Sequence, residues 1–121
     1  ITLSDFSGLS SSVALYSASD DYSGNYLIGP EMDEDFRNII QAPIVIGKYA
    51  TIGVKSVVLP GVVMGTGAVL GACSLASKPL DAWTIYGGVP AKPLKMRNSG
   101  LIEKAILMEK RWEERSREWK G

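Results

Sequence analysis

The sequence predicts an all-β solenoid: a coil of short parallel strands, interrupted by one long loop and finished by an α-helix. Three observations carry that prediction. Aliphatic residues recur every six positions, glycine follows several of them, and the chain ends in a charged segment with helical spacing. The 121 residues suit one modest domain.

The six-residue beat is clearest in the middle of the chain. In sixes it runs Ile40-Gln-Ala-Pro-Ile-Val, Ile46-Gly-Lys-Tyr-Ala-Thr, Ile52-Gly-Val-Lys-Ser-Val, Val58-Leu-Pro-Gly-Val-Val, Met64-Gly-Thr-Gly-Ala-Val and Leu70-Gly-Ala-Cys-Ser-Leu. Every first position is aliphatic. Gly47, Gly53, Gly65 and Gly71 hold the second position in four hexads. The fifth positions, Ile44, Ala50, Ser56, Val62, Ala68 and Ser74, are mostly small, and Leu3, Leu9 and Leu15 keep the same phase earlier, with Ser7, Val13 and Ser19 at the fifth position. A period of six does not return to one helix face, and simple strand alternation does not explain the glycines. The pattern predicts one hexad per flat side and three hexads per turn. The aliphatic residue points inward, the small residue leaves room at the corner, and glycine permits backbone that other residues resist.

Residues 21–39 break the phase. They hold Gly24, Gly29, Pro30 and the acidic residues Glu31, Asp33, Glu34 and Asp35. The stretch reads as a loop thrown out between one turn of the coil and the next. Its carboxylates read as a solvated stretch, because they lack the glycine-centred order of a calcium loop. No metal site is expected. Without a single histidine, a zinc site built on imidazole has no ligands.

A solenoid leaves an open edge that needs a cap. After Arg97 the sequence turns helical. Ser99 is placed to cap the N-terminus, and Leu101, Ile102, Ala105, Ile106 and Leu107 form an apolar stripe. A charged segment with Trp112 and Trp119 follows, so one helix is expected from about Gly100 to Trp119. Its expected role is packing on the coil or on a neighbouring subunit, since mixed charges argue against a membrane-surface face.

Composition narrows the partners. Thirteen Lys and Arg balance thirteen Asp and Glu, which gives no basis for a nucleic-acid or anionic-membrane surface. No apolar run reaches the length of a membrane span, and nothing at the start reads as a signal peptide. The single cysteine, Cys73, suits a reducing compartment, so a cytoplasmic location is expected. The beat is already running at Ile1, which suggests that an N-terminal piece of the natural protein is absent.

The repeat resembles that of the hexapeptide-repeat acyltransferases, which fold as left-handed parallel β-helices. The beat covers residues 3–20 and 40–75, and the segment Ala76 to Arg97 is similar to the family's closing segment through its Ser-Lys, Trp-Thr-Ile and Gly-x-Pro-Ala-Lys elements. The stretch "YSASDDYSG" resembles sugar O-acetyltransferases of polysaccharide and lipopolysaccharide modification. The resemblance implies a left-handed β-helix over residues 1–97, with the excursion at about 21–39, and a helix over 98–121. It also implies a homotrimer, with the active site between neighbouring coils.

The implied activity is transfer of an acetyl group from acetyl-CoA to a hydroxyl of a sugar or glycan precursor. An N-acetyltransferase acting on an amino-sugar nucleotide or an antibiotic-type acceptor is the alternative within enzymes. A non-catalytic scaffold is the alternative outside them. By resemblance, Val54 and Ala72 meet CoA through backbone, with Ser77 and Lys78 beside them, and Lys92 and Lys95 meet its phosphates, which suit lysine as a point charge. The family's general-base histidine is replaced here by Asp20. A carboxylate is a weak base at neutral pH, but burial beside Asp21 raises one of two close carboxylates. Asp20, supported by Asp21, is therefore the candidate base. The alternatives are that both are turn residues bonding their own backbone, that an amine acceptor arrives unprotonated, or that the base lies in an absent N-terminal part. Tyr16, Ser17, Ser19, Tyr22, Ser23 and Asn25 are candidates to bind a polyhydroxyl acceptor.

Overall fold

The computed structural model describes residues 1–119. The hexads form two-residue strands that supply three sheets in rotation. β1 (Thr2–Leu3), β2 (Gly8–Leu9) and β3 (Ala14–Leu15) make a first turn. β6 (Val45–Ile46), β7 (Thr51–Ile52) and β8 (Val57–Val58) make a second, and β9 (Val63–Met64), β10 (Val69–Leu70) and β11 (Leu75–Ala76) a third. The ladders β1-β6-β9, β2-β7-β10 and β3-β8-β11 are all parallel. Ile46 lies beside Met64, Ile52 beside Leu70 and Val58 beside Ala76, so the chain comes back over itself after three hexads, which complete one turn.

These rungs are buried and form the core. The fifth-position residues from Ile44 to Ser74 are buried as well, while Ser7, Val13 and Ser19 are half-buried. The expectation that they merely leave room at the corner is corrected: each precedes a rung by two residues, so strand alternation turns both side chains to the same inner face. Where that inner position is Ser56 or Ser74, hydrogen bonds compensate. The Ser56 hydroxyl donates to the Gly71 carbonyl at 2.7 Å and accepts from the Ser74 N–H at 3.1 Å, while the Ser74 hydroxyl accepts from the Gly88 N–H at 3.0 Å. Leu3 and Leu9 keep the phase but stay exposed, because among the described residues no further turn covers that end.

The reason for the glycines is also corrected. Positive φ falls at the fourth position of the hexads, at Tyr49, Lys55, Gly61, Gly67 and Cys73, and not at the second-position glycines. Gly53 is instead required by close approach: a Cβ there would lie 2.6 Å from the Ala72 nitrogen of the next turn.

The excursion begins and ends inside the expected strands. β4 (Ala18–Asp20) pairs antiparallel with β5 (Ile39–Gln41), so the departure from the coil starts at residue 18 and closes at residue 41, not at 21 and 39. Ile40 is therefore not an inward rung. It sits opposite Ser19 in this stem and is 47% exposed.

The last turn is irregular. β12 (Thr84–Gly87) pairs parallel with β10, and β13 (Lys92–Met96) folds back antiparallel on β12. Arg97 fastens this segment, its Nη1 donating to the carbonyls of Tyr49 at 2.8 Å and Gly67 at 3.1 Å. The helix α1 spans Leu101–Glu118, one residue shorter at each end than expected. Ser99 does not cap it. Gly100 is the cap residue, and its N–H donates to the Asn98 Oδ1 at 2.6 Å. Of the expected stripe, Ala105 is buried, Leu101 and Ile102 are half-buried, and Ile106 and Leu107 are exposed. α1 meets the coil where Trp112 stacks on Phe6 with ring centroids 6.2 Å apart; Phe6 in turn stacks on Tyr49.

Candidate active site

The antiparallel stem places Asp20 at the end of β4, opposite Ile39. Arg37 enters the same place from the returning strand. A single 3-10 turn, Glu34–Phe36, precedes it, its N–H donates to the Glu34 carbonyl at 3.1 Å, and a parallel bridge joins it to Leu27. The chain thus turns Arg37 inward, and its Nη2 donates to the Asp20 Oδ1 at 3.2 Å. A charge-assisted bond of this kind fixes the direction of the carboxylate. The arginine Nε is buried with no partner among the described residues. Sequence reasoning missed Arg37. Its signal was the one cation inside an otherwise acidic stretch.

Asp21 does not join Asp20. Its Oδ1 accepts from the Ser23 N–H at 2.8 Å and its Oδ2 from the Asn38 Nδ2 at 2.8 Å. The Asn38 bond, then those from Ser23, hold its pKa below the ordinary carboxylate value of 3.8. The expectation of a coupled pair with one raised pKa is corrected for Asp21, because its bonds favour the charged form. Asp21 is a turn residue that ties the excursion together. That contribution is present above the ordinary carboxylate range and is lost only as pH falls through the lowered value.

The expected acceptor residues separate into groups. Tyr16, Ser19, Asp20 and Tyr22 line one cleft of about 480 Å³, floored by Val57 and Leu59 from the second turn. Ser17 lies in another cleft, with Ile1 and Gln41. Ser23 organises the turn, its hydroxyl accepting from the Asn25 N–H at 3.3 Å. Asn25 belongs to a third cleft at the tip of the excursion.

Among the donor-side residues, Ser77, Lys78 and Lys92 share a cleft of about 280 Å³ with Leu80, Tyr86 and Ala91. The segment after β11 and the β12–β13 hairpin converge there. The Asp81 N–H donates to the Tyr86 hydroxyl at 3.0 Å, and the Ala91 N–H to the Leu75 carbonyl at 2.8 Å. Val54 and Ala72 occupy the same hexad position on successive turns, beyond β7 and β10. Lys95, on β13, pairs with Ile85 of β12 and does not line the cleft. Among the described residues no group of three or more His, Cys, Asp or Glu side chains could hold a metal ion, and no helix is long and apolar enough to cross a membrane.

Comparison with known proteins agrees with this architecture. No protein-family model matches the chain. It is 40% identical over 103 residues to a dTDP-4-amino-4,6-dideoxy-D-glucose acyltransferase of Escherichia coli, a match that covers 85% of this chain and 54% of that protein. A chloramphenicol acetyltransferase of Klebsiella aerogenes is 41% identical over 68 residues, covering 56% of this chain and 32% of that protein. Among solved structures, AntD, an N-acyltransferase from Bacillus cereus in complex with dTDP and 3-hydroxybutyryl-CoA, superposes with a TM-score of 0.88 at 35% identity, over 92% of this chain and 59% of AntD. A hexapeptide-repeat acetyltransferase from Vibrio cholerae, in complex with acetyl-CoA, gives a TM-score of 0.63 at 27% identity, over 78% of this chain and 48% of that one. The homologues are acyltransferases of the hexapeptide-repeat family, which this chain resembles in sequence and in fold. It spans about half the length of the first of these relatives and about a third of the second.

Proposed function

We propose that the chain is the coil of an acyl-CoA-dependent acyltransferase that acylates an amino group on a nucleotide-linked sugar. One observation carries this reading: a carboxylate fixed by an arginine and a lysine-lined cleft lie along the same edge of the coil. Tyr16 and Leu59 of the Asp20 cleft follow β3 and β8, and Ser77 and Lys78 of the other cleft follow β11, the next strand of that ladder. Strands stack about 4.8 Å apart, so the two clefts lie roughly 5–10 Å apart along the axis. A pantetheine arm bound from the lysines toward Asp20 would run along this edge. We read the coil as left-handed and the assembly as a cytoplasmic homotrimer, on the strength of the family.

The amine reading replaces the sugar hydroxyl as first choice because a dTDP-aminosugar acyltransferase and AntD both cover most of this chain. Solved AntD variants replace one aspartate, and others a serine ten positions before it. Here Ser10 and Ser11 precede Asp20 and Asp21 by that interval, and of the two carboxylates only Asp20 lines the cleft.

In the proposed reaction the amine nitrogen attacks the thioester carbonyl, the C–N bond forms, and the carbonyl π electrons move to oxygen. Collapse of that oxyanion breaks the C–S bond and releases CoA. Asp20 accepts the proton that the nitrogen loses and passes it to the departing sulfur, leaving an amide and a free thiol. Lys78 and Lys92 would bind the phosphates of CoA, Ser77 and the backbone of Val54 and Ala72 its arm, and Tyr16, Ser19 and Tyr22 the sugar. An amine presented unprotonated asks little of a base, so a carboxylate suffices where a hydroxyl acceptor would favour histidine.

The test is free-thiol release by the natural full-length protein from acetyl-CoA with dTDP-4-amino-4,6-dideoxyglucose, and with dTDP-glucose as the hydroxyl counterpart. Asp20→Asn should lower turnover about a hundredfold or more. A near wild-type rate removes Asp20 from the mechanism, and preference for the hydroxyl sugar overturns the amine reading. No CoA binding at millimolar concentration would leave a non-catalytic scaffold.

A further inference from the structure

The excursion carries a second cleft that the reaction does not use. Gly24, Asn25, Tyr26, Leu27, Asp35 and Phe36 enclose about 290 Å³ at its tip. Tyr26 and Phe36 are 44% and 59% exposed, and neither ring stacks on another aromatic ring among the described residues. Exposing two aromatic faces to water is unfavourable unless something flat covers them. The cleft is nevertheless built: the Leu27 N–H donates to the Phe36 carbonyl at 2.8 Å, and the 3-10 turn holds Phe36 in place.

We infer that the Tyr26–Phe36 cleft seats the pyrimidine base of the nucleotide-linked acceptor, with Arg37 beside the diphosphate and Asp20 at the sugar. The order of the residues is the argument. Phe36 lines the cleft, Arg37 is the next residue, and Arg37 bonds Asp20 at 3.2 Å. A nucleotide-linked sugar presents base, diphosphate and sugar in the same order. The cleft also offers edge chemistry that a pyrimidine imide needs. Asp35 can accept from the ring N–H, and the Asn25 carboxamide, which has no hydrogen bond among the described residues, can donate to a flanking carbonyl. Glu31, Asp33, Glu34 and Asp35 crowd this segment, so Arg37 is the cation available there to offset a diphosphate.

The inference rests on the nucleotide-linked reading above, and the two are separable by experiment. Binding of dTDP to the full-length protein is measured by calorimetry, alongside KM for the dTDP-linked amino sugar and for acetyl-CoA. Phe36→Leu keeps an apolar side chain while removing the ring, and Tyr26→Ala removes the second face. Each should weaken dTDP binding and raise the acceptor KM about tenfold, in line with the worth of one base stacked on an aromatic ring. The KM for acetyl-CoA and the melting temperature should not move. Unchanged dTDP affinity in both folded variants overturns the base site, even if Asp20→Asn abolishes transfer and so leaves the acyltransferase standing. A wild-type protein that transfers acetyl groups but does not bind dTDP at millimolar concentration overturns it too. Ring-dependent dTDP binding without amine transfer would keep the base site and discard the reaction.

Discussion

Asp20 and Arg37 form one unit, and neither is informative alone. A lone carboxylate on an exposed stem would rotate freely among partners. The guanidinium fixes one oxygen and leaves the other for the acceptor. In the proposed reaction Arg37 is thus a positioning residue as well as a candidate phosphate contact. Arg37→Met should lower kcat for the amino sugar at least tenfold and raise the acceptor KM, with acetyl-CoA KM unchanged. Arg37→Lys should recover part of kcat, because a point charge supplies attraction without the planar fork. Equal losses in Met and Lys variants, or a change confined to acetyl-CoA, would remove Arg37 from this role. Asp20 could be picked out in the sequence as a candidate through the position where the family keeps a histidine, and it lines a cleft beside Arg37. Arg37 could not be picked out that way, because a partner on the far side of an aperiodic loop leaves no spacing to read. Asp21 looked like the natural partner for the opposite reason: adjacency in sequence. On an extended stem successive side chains point to opposite sides, so adjacent carboxylates diverge.

The hexad illustrates how a pattern can be read correctly while its cause is misassigned. Period six was legible because each hexad meets the same environment: an axis to fill, a turn to make, and a neighbouring turn stacked in constant register. Which position suffers the steric demand is a property of the stack. Gly53 lies beneath the Ala72 backbone, whereas the left-handed φ of 58° two residues later belongs to Lys55. Two substitutions separate these causes. Gly53→Ala must push the next turn away and should destabilise the fold by about 1–3 kcal/mol. Lys55→Gly should stay within about 1 kcal/mol of wild type, since relief of left-handed strain offsets the extra freedom of the unfolded chain. Chemical denaturation checks both, and a Lys55→Gly cost larger than that of Gly53→Ala would reverse the assignment. The excursion boundaries were misread for a related reason: Ala18–Asp20 and Ile39–Gln41 are strand-like sequences, but they pair with each other instead of with the turns above and below.

At the scale of the whole molecule, the coil is closed at one end and open along its sides. β13 folds back on β12, and Arg97 bonds two successive corners, at Tyr49 and Gly67, so the last turn is held by the chain itself. The sides are different. The Asp20 cleft is floored by Val57 and Leu59 and walled on one side by the excursion, and α1 leaves Ile106, Leu107 and Met108 exposed after burying Ala105. An amphipathic helix with an uncovered apolar face is stabilised by whatever covers it. In the proposed homotrimer a neighbouring coil would stand against each cleft and cover the exposed apolar residues of the helix. The expected outcome is that the full-length protein sediments as a trimer. Ile106→Glu combined with Leu107→Glu places charge on that face, while both residues are exposed in the single chain, so the fold should survive and the mass should fall toward a monomer. Turnover should fall with it, because a cleft walled on one side holds neither the acceptor nor the thioester in reacting distance. Sedimentation and thiol release on the same sample decide the matter: a protein that is monomeric and fully active would show that one coil completes its own site.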